Sequence, residues 1–392
     1  MTGTDASSLT LRFPPVIEFG WGAQARVPGV LADLFGDSAT PRVLLVSTRT
    51  VAGFPEDAHA ALCGSPPVAT YSGVPHDPPL EVVEELRTLA TENRAEAVLA
   101  AGGGSVMDAA KAAAALAGAA GSVADYFYGK RQQLRPGLPM IALPTTAGSG
   151  AELTRNAVLS DPGNLLKKSL RLRWMVPKAA VSDPELTLSA PPALTAASGM
   201  DALTQAVEAY ISLRANAVSR GLAAEGVRLL LHHLCAAYQD GTDKRARTET
   251  ARGSLLTAMS FSQSGLGAVH GLAHPLGISL GLPHGLVCAI LLPHVLRWNA
   301  PVCEEELDTL ARHAGLDSGA GLLASLRSLA QELGVPPGFP KKSLNSEVIE
   351  HVVANCRSGS MKANPRPMND EDVRRFLVSL GTSELEGNEA PV

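Results

Sequence analysis

Asp201 and Gln205 lie four residues apart in GMDALTQAVEAY, so on a helix the carboxylate and the amide project from one face and both can reach one ion. Downstream, VHGLAHPLGISLGLPHG carries His270 and His274 at the same i, i+4 spacing, with His284 directly after Pro283. A neutral imidazole is a good ligand for a divalent transition metal, and a carboxylate supplies compensating charge. One Asp with two His is a sound core for such a site. Any one of these histidines alone reads more readily as a satisfied polar residue. Three within fifteen residues of apolar, glycine-rich sequence favour chemistry. The pair His232–His233 in LLLHHLC has no carboxylate close in sequence and is assigned no chemistry.

A second kind of chemistry is suggested earlier in the chain. The apolar run AEAVLAA leads into Gly102, Gly103, Gly104 and Ser105 and then into the helical SVMDAAKAAAALAG. A strand, a bare turn and a helix N-terminus together present backbone N–H groups to an anion with no Cβ in the way, which is a pyrophosphate cradle. The alternative is a tight strand-to-helix turn, and the pattern is not GxGxxG. PTTAGSGAELT (Pro144 to Thr154) likewise follows directly on a strand-like run, and its small and hydroxylated residues can wrap a ligand or simply form a polar loop. Two such loops at strand C-terminal ends are what an open α/β sheet offers a nucleotide.

The elements that must position these groups follow from the apolar rhythm. RVLLVS (Arg42 to Ser47), PVATYS (Pro67 to Ser72), AEAVLAA (Ala95 to Ala101) and PMIALP (ending at Pro144) read as buried strands, with LEVVEELRTLATEN as a helix between them. That alternation predicts parallel strands with crossover helices. From about Pro191 apolar residues recur at three and four positions, which predicts an all-helical second part. The expected organisation is an α/β domain over 1–187 and an all-α domain over 188–392, with GVPPGFP as a loop before the last helices and a frayed polar tail from Ser383.

Bulk composition narrows the function classes. At 392 residues, 45% apolar and 18% charged, the chain can bury more than one core. A net charge of -5 without any Lys/Arg stripe argues against nucleic acid as a partner. Five scattered cysteines without a CxxC pair suggest buried thiols rather than a disulfide framework or a thiolate zinc site. The opening residues lack a basic segment followed by an apolar stretch, and the expectation is a cytoplasmic protein with no membrane span.

In this order and with these gaps, GGGSVMDAAK, PTTAGSGAELT, KAAVSDPELT, GMDALTQAVEAY, HGLAHPLGISLGLPHG, ILLPHVLRWN and ANPRP resemble the iron-containing (group III) alcohol dehydrogenase family. Its relatives include glycerol dehydrogenases, maleylacetate reductases and, more remotely, dehydroquinate synthase. The resemblance covers most of the chain. It implies a Rossmann-like dinucleotide-binding domain and an all-α C-terminal domain, the dehydroquinate synthase-like fold, with the reaction in the cleft between them. It further implies that Gly102, Gly103, Gly104 and Ser105 hold the pyrophosphate with Asp108 nearby, and that Thr145, Thr146 and Ser149 line the nicotinamide side. Asp201, His270 and His284 match the family's metal ligands, and His274 stands beside the substrate as a proton relay.

Two positions depart from the pattern. Where the family usually has a histidine four residues after the Asp, this chain has Gln205, a neutral and weaker donor toward Fe2+ or Zn2+. Three outcomes stay open: a metal held by Asp201, Gln205, His270 and His284; a metal held by three of these plus water; or no metal, with hydrogen bonds polarising the carbonyl. At the end of RVLLVS, where NAD-preferring relatives tend to carry an Asp, Thr48 and Arg49 stand instead, so NADP(H) is favoured over NAD(H).

The implied reaction is hydride transfer between a nicotinamide cofactor and a small alcohol or aldehyde, metal-assisted, in a homodimer or larger homo-oligomer. The alternatives are a metal-free reductase of the maleylacetate type, a non-redox cyclase and a non-enzymatic scaffold. Lys168, Arg171 and Arg173 follow the PTTAGSG loop and can attract an anionic aldehyde, Lys168 being the candidate for a catalytic role. The alternative for these three is a solvated basic loop.

Overall fold

The computed structural model describes residues 9–37, 40–48, 60 and 62–382. Its first half is built on eight strands: β1 (Val16–Phe19), β2 (Val43–Ser47), β3 (Ala69–Ser72), β4 (Ala97–Gly102), β5 (Met140–Pro144), β6 (Asn156–Asp161), β7 (Leu166–Arg171) and β8 (Ala179–Ser182). Six of them form one parallel sheet in the order β1-β8-β5-β4-β2-β3. Strands β2, β4, β5 and β8 are buried along their whole length, which is why they are continuous apolar runs rather than alternating ones. Alternate residues supply different cores. Leu44, Val46, Val98, Ala100 and Ala142 pack under the helices Leu80–Glu92 and Gly104–Leu116, while Val43, Leu45, Leu99, Ile141 and Val181 pack under Val27–Phe35.

The four strands expected from the sequence are β2 to β5. Three further features escaped it. Strand β1 is only half-buried and carries Glu18, β8 lies within KAAVSDPELT, and β6 with β7 forms an antiparallel hairpin whose polar residues resemble a loop. The basic stretch after PTTAGSG is therefore partly strand, not loop.

From Pro192 onward the chain is predominantly helical, as its apolar spacing requires. Helices Pro192–Ile211, Ala217–Gln239 and Lys244–Ser264 pack together, with Met200, Leu203, Val207, Val227 and Leu230 in their common core. Helices Ala268–Leu280 and His284–Asn299 share a further core through Val269, Leu272, Leu276, Val287 and Leu291. The stretch His284–Val302 is long and apolar enough to cross a membrane by length and composition, yet half of it is buried inside the protein by that packing. Arg49 and the tail from Ser383 lie outside the described residues.

Candidate active site

The two ligand-binding candidates of the first half emerge side by side. Strands β4 and β5 are neighbours with Gly102 opposite Pro144, and the Thr145 N–H donates to the Gly102 carbonyl at 3.0 Å. Gly103 caps the following helix and Gly104 is its first residue. A Cβ on Gly104 would stand 2.8 Å from Ser149 Oγ, so the glycine is required by the close approach of the second loop as well as by any ligand. The chain runs outward from β2 to β3 and returns on the other side of β2 to β4, which makes the gap between β2 and β4 the switch point where doubly wound sheets bind nucleotides. Thr48 sits at that gap, its N–H donating to Ala101.

The second loop also reaches the helical half. Gly150 adopts φ 63°, and a Cβ there would lie 2.6 Å from that of Ala258, while one on Gly148 would strike Ser198. PTTAGSGAELT thus lies between the sheet and the helices.

In the helical half, three helices aim donors at one point. Asp201 Oδ1 lies 3.2 Å from His270 Nε2 and 3.9 Å from His284 Nε2. Cys288 Sγ lies 3.5 Å from His284 Nε2 and 3.9 Å from His270 Nε2, and the ligand atoms of the four residues all fall within 4.8 Å of one another. The i, i+4 spacing that aligned His270 with His274 also aligns His284 with Cys288. Gln205 sits beside Asp201 but turns its amide nitrogen toward it, donating to Oδ2 at 3.1 Å. A carboxylate only accepts, so that orientation is dictated, and the amide oxygen is left buried without a partner among the described residues.

Behind the cluster stands a residue that sequence reasoning passed over. Glu208, seven residues and two turns after Asp201 on the same helix, accepts from His270 Nδ1 and from the Val269 N–H, both at 2.6 Å. This fixes the proton on Nδ1 and leaves Nε2 facing Asp201 and Cys288. The start of the His270 helix is held too: Asn364 Oδ1 accepts from the Ala268 N–H, and Asn364 and Asn299 exchange amide hydrogen bonds at 2.8 and 2.9 Å. These asparagines belong to ANPRP and ILLPHVLRWN, so two remote motifs meet to set the angle of one helix.

Burial divides the titration of these groups. Desolvation pulls His270 down, but the Cys288 sulfur and the bonds to Asp201 and Glu208 outweigh it and raise its pKa, favouring an imidazolium whose Nε2 proton a bound metal would displace. Burial, with Lys167 and His270 adding positive charge, lowers His274 to about 3, and burial together with His274 and Lys167 holds His284 well below normal. Their rings stack at 4.8 Å. Burial pushes the Cys288 thiol up to about 12.

Two family models cover nearly the whole chain: "Iron-containing alcohol dehydrogenase" over residues 14–184 and "Fe-containing alcohol dehydrogenase family, C-terminal" over 195–380. The chain belongs to the iron-containing alcohol dehydrogenase family. It is 33% identical over 380 residues to long-chain-alcohol dehydrogenase 1 of Geobacillus thermodenitrificans, covering 92% of this chain and 94% of that one. To the 1,3-propanediol dehydrogenase of Klebsiella pneumoniae it is 32% identical over 315 residues, covering 78% and 81%. Among solved structures, sulfoacetaldehyde reductase from Bifidobacterium kashiwanohense in complex with NAD+ superposes with a TM-score of 0.87 at 27% identity, over 96% of this chain and 100% of that one.

As a member of the iron-containing alcohol dehydrogenases, this protein is an oxidoreductase acting on alcohols and aldehydes, and its family uses NAD(H) and a divalent metal. The donor cluster fits such a metal. One carboxylate and two imidazoles converge, and Glu208 backs His270 in the carboxylate–histidine arrangement common behind metal ligands.

Not every predicted residue reaches the site. Gln205 meets Asp201 through its amide nitrogen, while its oxygen, the atom that the ligand assignment needs, is buried without a partner among the described residues. Asp108 is buried against Lys111 and accepts from the Val158 N–H at 2.8 Å, tying the cofactor-side helix to β6. Lys168 is turned away, with its ammonium over the Phe127 and Tyr128 rings at 4.6 and 5.2 Å. Strand alternation is the reason: on β7 it is Lys167, one residue earlier and paired with Asp77 at 2.7 Å, whose charge acts on His274 and His284. Arg173 packs on Trp174.

Proposed function

We propose that the enzyme transfers hydride between NAD(P)H and a small aldehyde at the junction of the glycine turn, the PTTAGSG loop and the histidine cluster. The observation that carries this reading is the convergence of Asp201, His270 and His284, backed by Glu208. When bound, the nicotinamide supplies the hydride and a divalent metal on these residues supplies the polarisation of the carbonyl oxygen. Gly102, Gly103, Gly104 and Ser105 hold the pyrophosphate, with Thr145, Thr146 and Ser149 beside the nicotinamide. His274, neutral and stacked on His284, relays the proton between the substrate oxygen and water. Thr48 at the switch point, in place of a carboxylate, favours NADP(H).

The substrate is an anionic aldehyde. Lys167 and Arg171 bring positive charge to His274, offset in part by Asp77, and Arg171 lies close to Arg155 and Arg214, none of these three arginines having a carboxylate at ion-pair distance among the described residues. Relatives named for sulfoacetaldehyde and 4-hydroxybutyrate point the same way. The protein is cytoplasmic and homo-oligomeric, with its domain boundary near residue 187.

The test is NADPH and NADH oxidation with a panel of aldehydes, parent against His284→Ala. Stoichiometric cofactor consumption that His284→Ala abolishes is expected. A product formed without net cofactor consumption would make the enzyme a cyclase, and full activity in His284→Ala would sink the site assignment.

A further inference from the structure

The position left open by Gln205 has a candidate occupant on the next helix. Asp201 uses its two oxygens differently: Oδ1 faces His270 and His284, while Oδ2 takes the Gln205 amide N–H. Through that bond Gln205 positions the carboxylate. Facing both imidazoles is Cys288 Sγ, 3.9 Å from His270 Nε2 and 3.5 Å from His284 Nε2.

We propose that Cys288 supplies the fourth protein ligand of the metal, giving an Asp201–His270–His284–Cys288 site that selects zinc over iron. The inference rests on the metal-assisted reading above. Distances support it: Zn–N bonds of about 2.0–2.1 Å and a Zn–S bond of about 2.3 Å give tetrahedral edges of roughly 3.4 to 3.6 Å. Four of the six edges are 3.2, 3.5, 3.9 and 3.9 Å and all six fall within 4.8 Å, so adjustment around an ion would bring the four ligands together, with the substrate oxygen entering as a fifth. Thiolate is a softer donor than imidazole or amide oxygen and favours zinc. With one carboxylate and one thiolate, the site also neutralises a divalent cation. On binding, the thiol proton leaves to solvent and the S–metal bond replaces the S–H bond, with no change of oxidation state.

The other cysteines are accounted for elsewhere. Cys303 donates to the Asn299 carbonyl and Cys356 to that of Val353, Cys235 lies against Glu332, and Cys63 is buried in the core under β2. A thiolate signal from the metal thus reports Cys288 alone.

The experiment is Co2+ substitution of the full-length protein, read by its electronic absorption spectrum. A near-ultraviolet thiolate-to-cobalt charge-transfer band of single-thiolate intensity is expected in the parent and in Gln205→Ala. It should be lost in Cys288→Ser, whose zinc affinity should fall by more than about 100-fold. Stoichiometric cobalt binding without that band in the parent overturns the assignment of Cys288 and leaves the metal-assisted reading standing. Failure of the folded parent to bind either cobalt or zinc overturns both.

Discussion

Replacing Glu208 by Gln isolates what holds His270 in place, because the change preserves shape and removes one acceptor. Glu208 receives two N–H groups at 2.6 Å, from Val269 and from His270 Nδ1. A glutamine has one oxygen for both. If that oxygen stays on Val269, the amide N–H faces Nδ1 and drives the imidazole proton to Nε2, the atom that looks toward Asp201 and Cys288. If the amide rotates, the Val269 N–H is left buried and unpaired, at a cost of about 1–3 kcal/mol. Either route penalises the metal-bound state by roughly 1.4–2.7 kcal/mol, which is about a 10- to 100-fold loss of affinity. Competition titration of zinc against a fluorescent chelator measures it directly, with circular dichroism confirming that the variant is folded. A folded Glu208→Gln protein that binds zinc as tightly as the parent would refute the tautomer argument.

Two further outcomes follow from charges near the cofactor loop and the cleft. Burial raises Glu152 from 4.5 to about 7, so the folded state binds its proton more tightly than the unfolded chain; the stability it contributes is complete below pH 4.5 and is lost as pH rises to 7. The loss amounts to about 3 kcal/mol, and Glu152→Gln should flatten the fall in unfolding free energy across that window, measured by denaturant titration at several pH values; an unchanged pH slope would remove Glu152 as its source. Arg171→Ala should raise KM for a carboxylated or sulfonated aldehyde about tenfold or more, with little effect on a neutral aldehyde of equal length; equal effects on both would remove the anion-binding role.

Much of this arrangement is legible before any coordinates. Strands β2, β4 and β5 are continuous apolar runs because both faces of a parallel sheet are covered, and the glycine turn follows from where β4 ends. His270, His274 and His284 announce themselves by spacing. The residues that were missed fail for definite reasons. Cys288 stands at the same i, i+4 interval, but without a CxxC partner a cysteine reads as a buried thiol. Glu208 is two turns from Asp201, beyond the single turn over which spacing is usually searched. Lys167 and Lys168 differ only in strand parity, which requires knowing that the stretch is a strand at all. The pairing of Asn299 with Asn364 joins positions 65 residues apart and depends wholly on tertiary packing.

The central claim is a metal-assisted site in which the Gln205 substitution is tolerated. Metal content by mass spectrometry, on protein purified without chelator or nickel affinity and assayed in parallel for aldehyde-dependent NAD(P)H oxidation, tests it most directly. Stoichiometric zinc is expected, with turnover that a chelator abolishes and zinc restores. Metal-free protein with full, chelator-insensitive turnover would contradict it, and Asp201, His270 and His284 would then act as hydrogen-bonding groups.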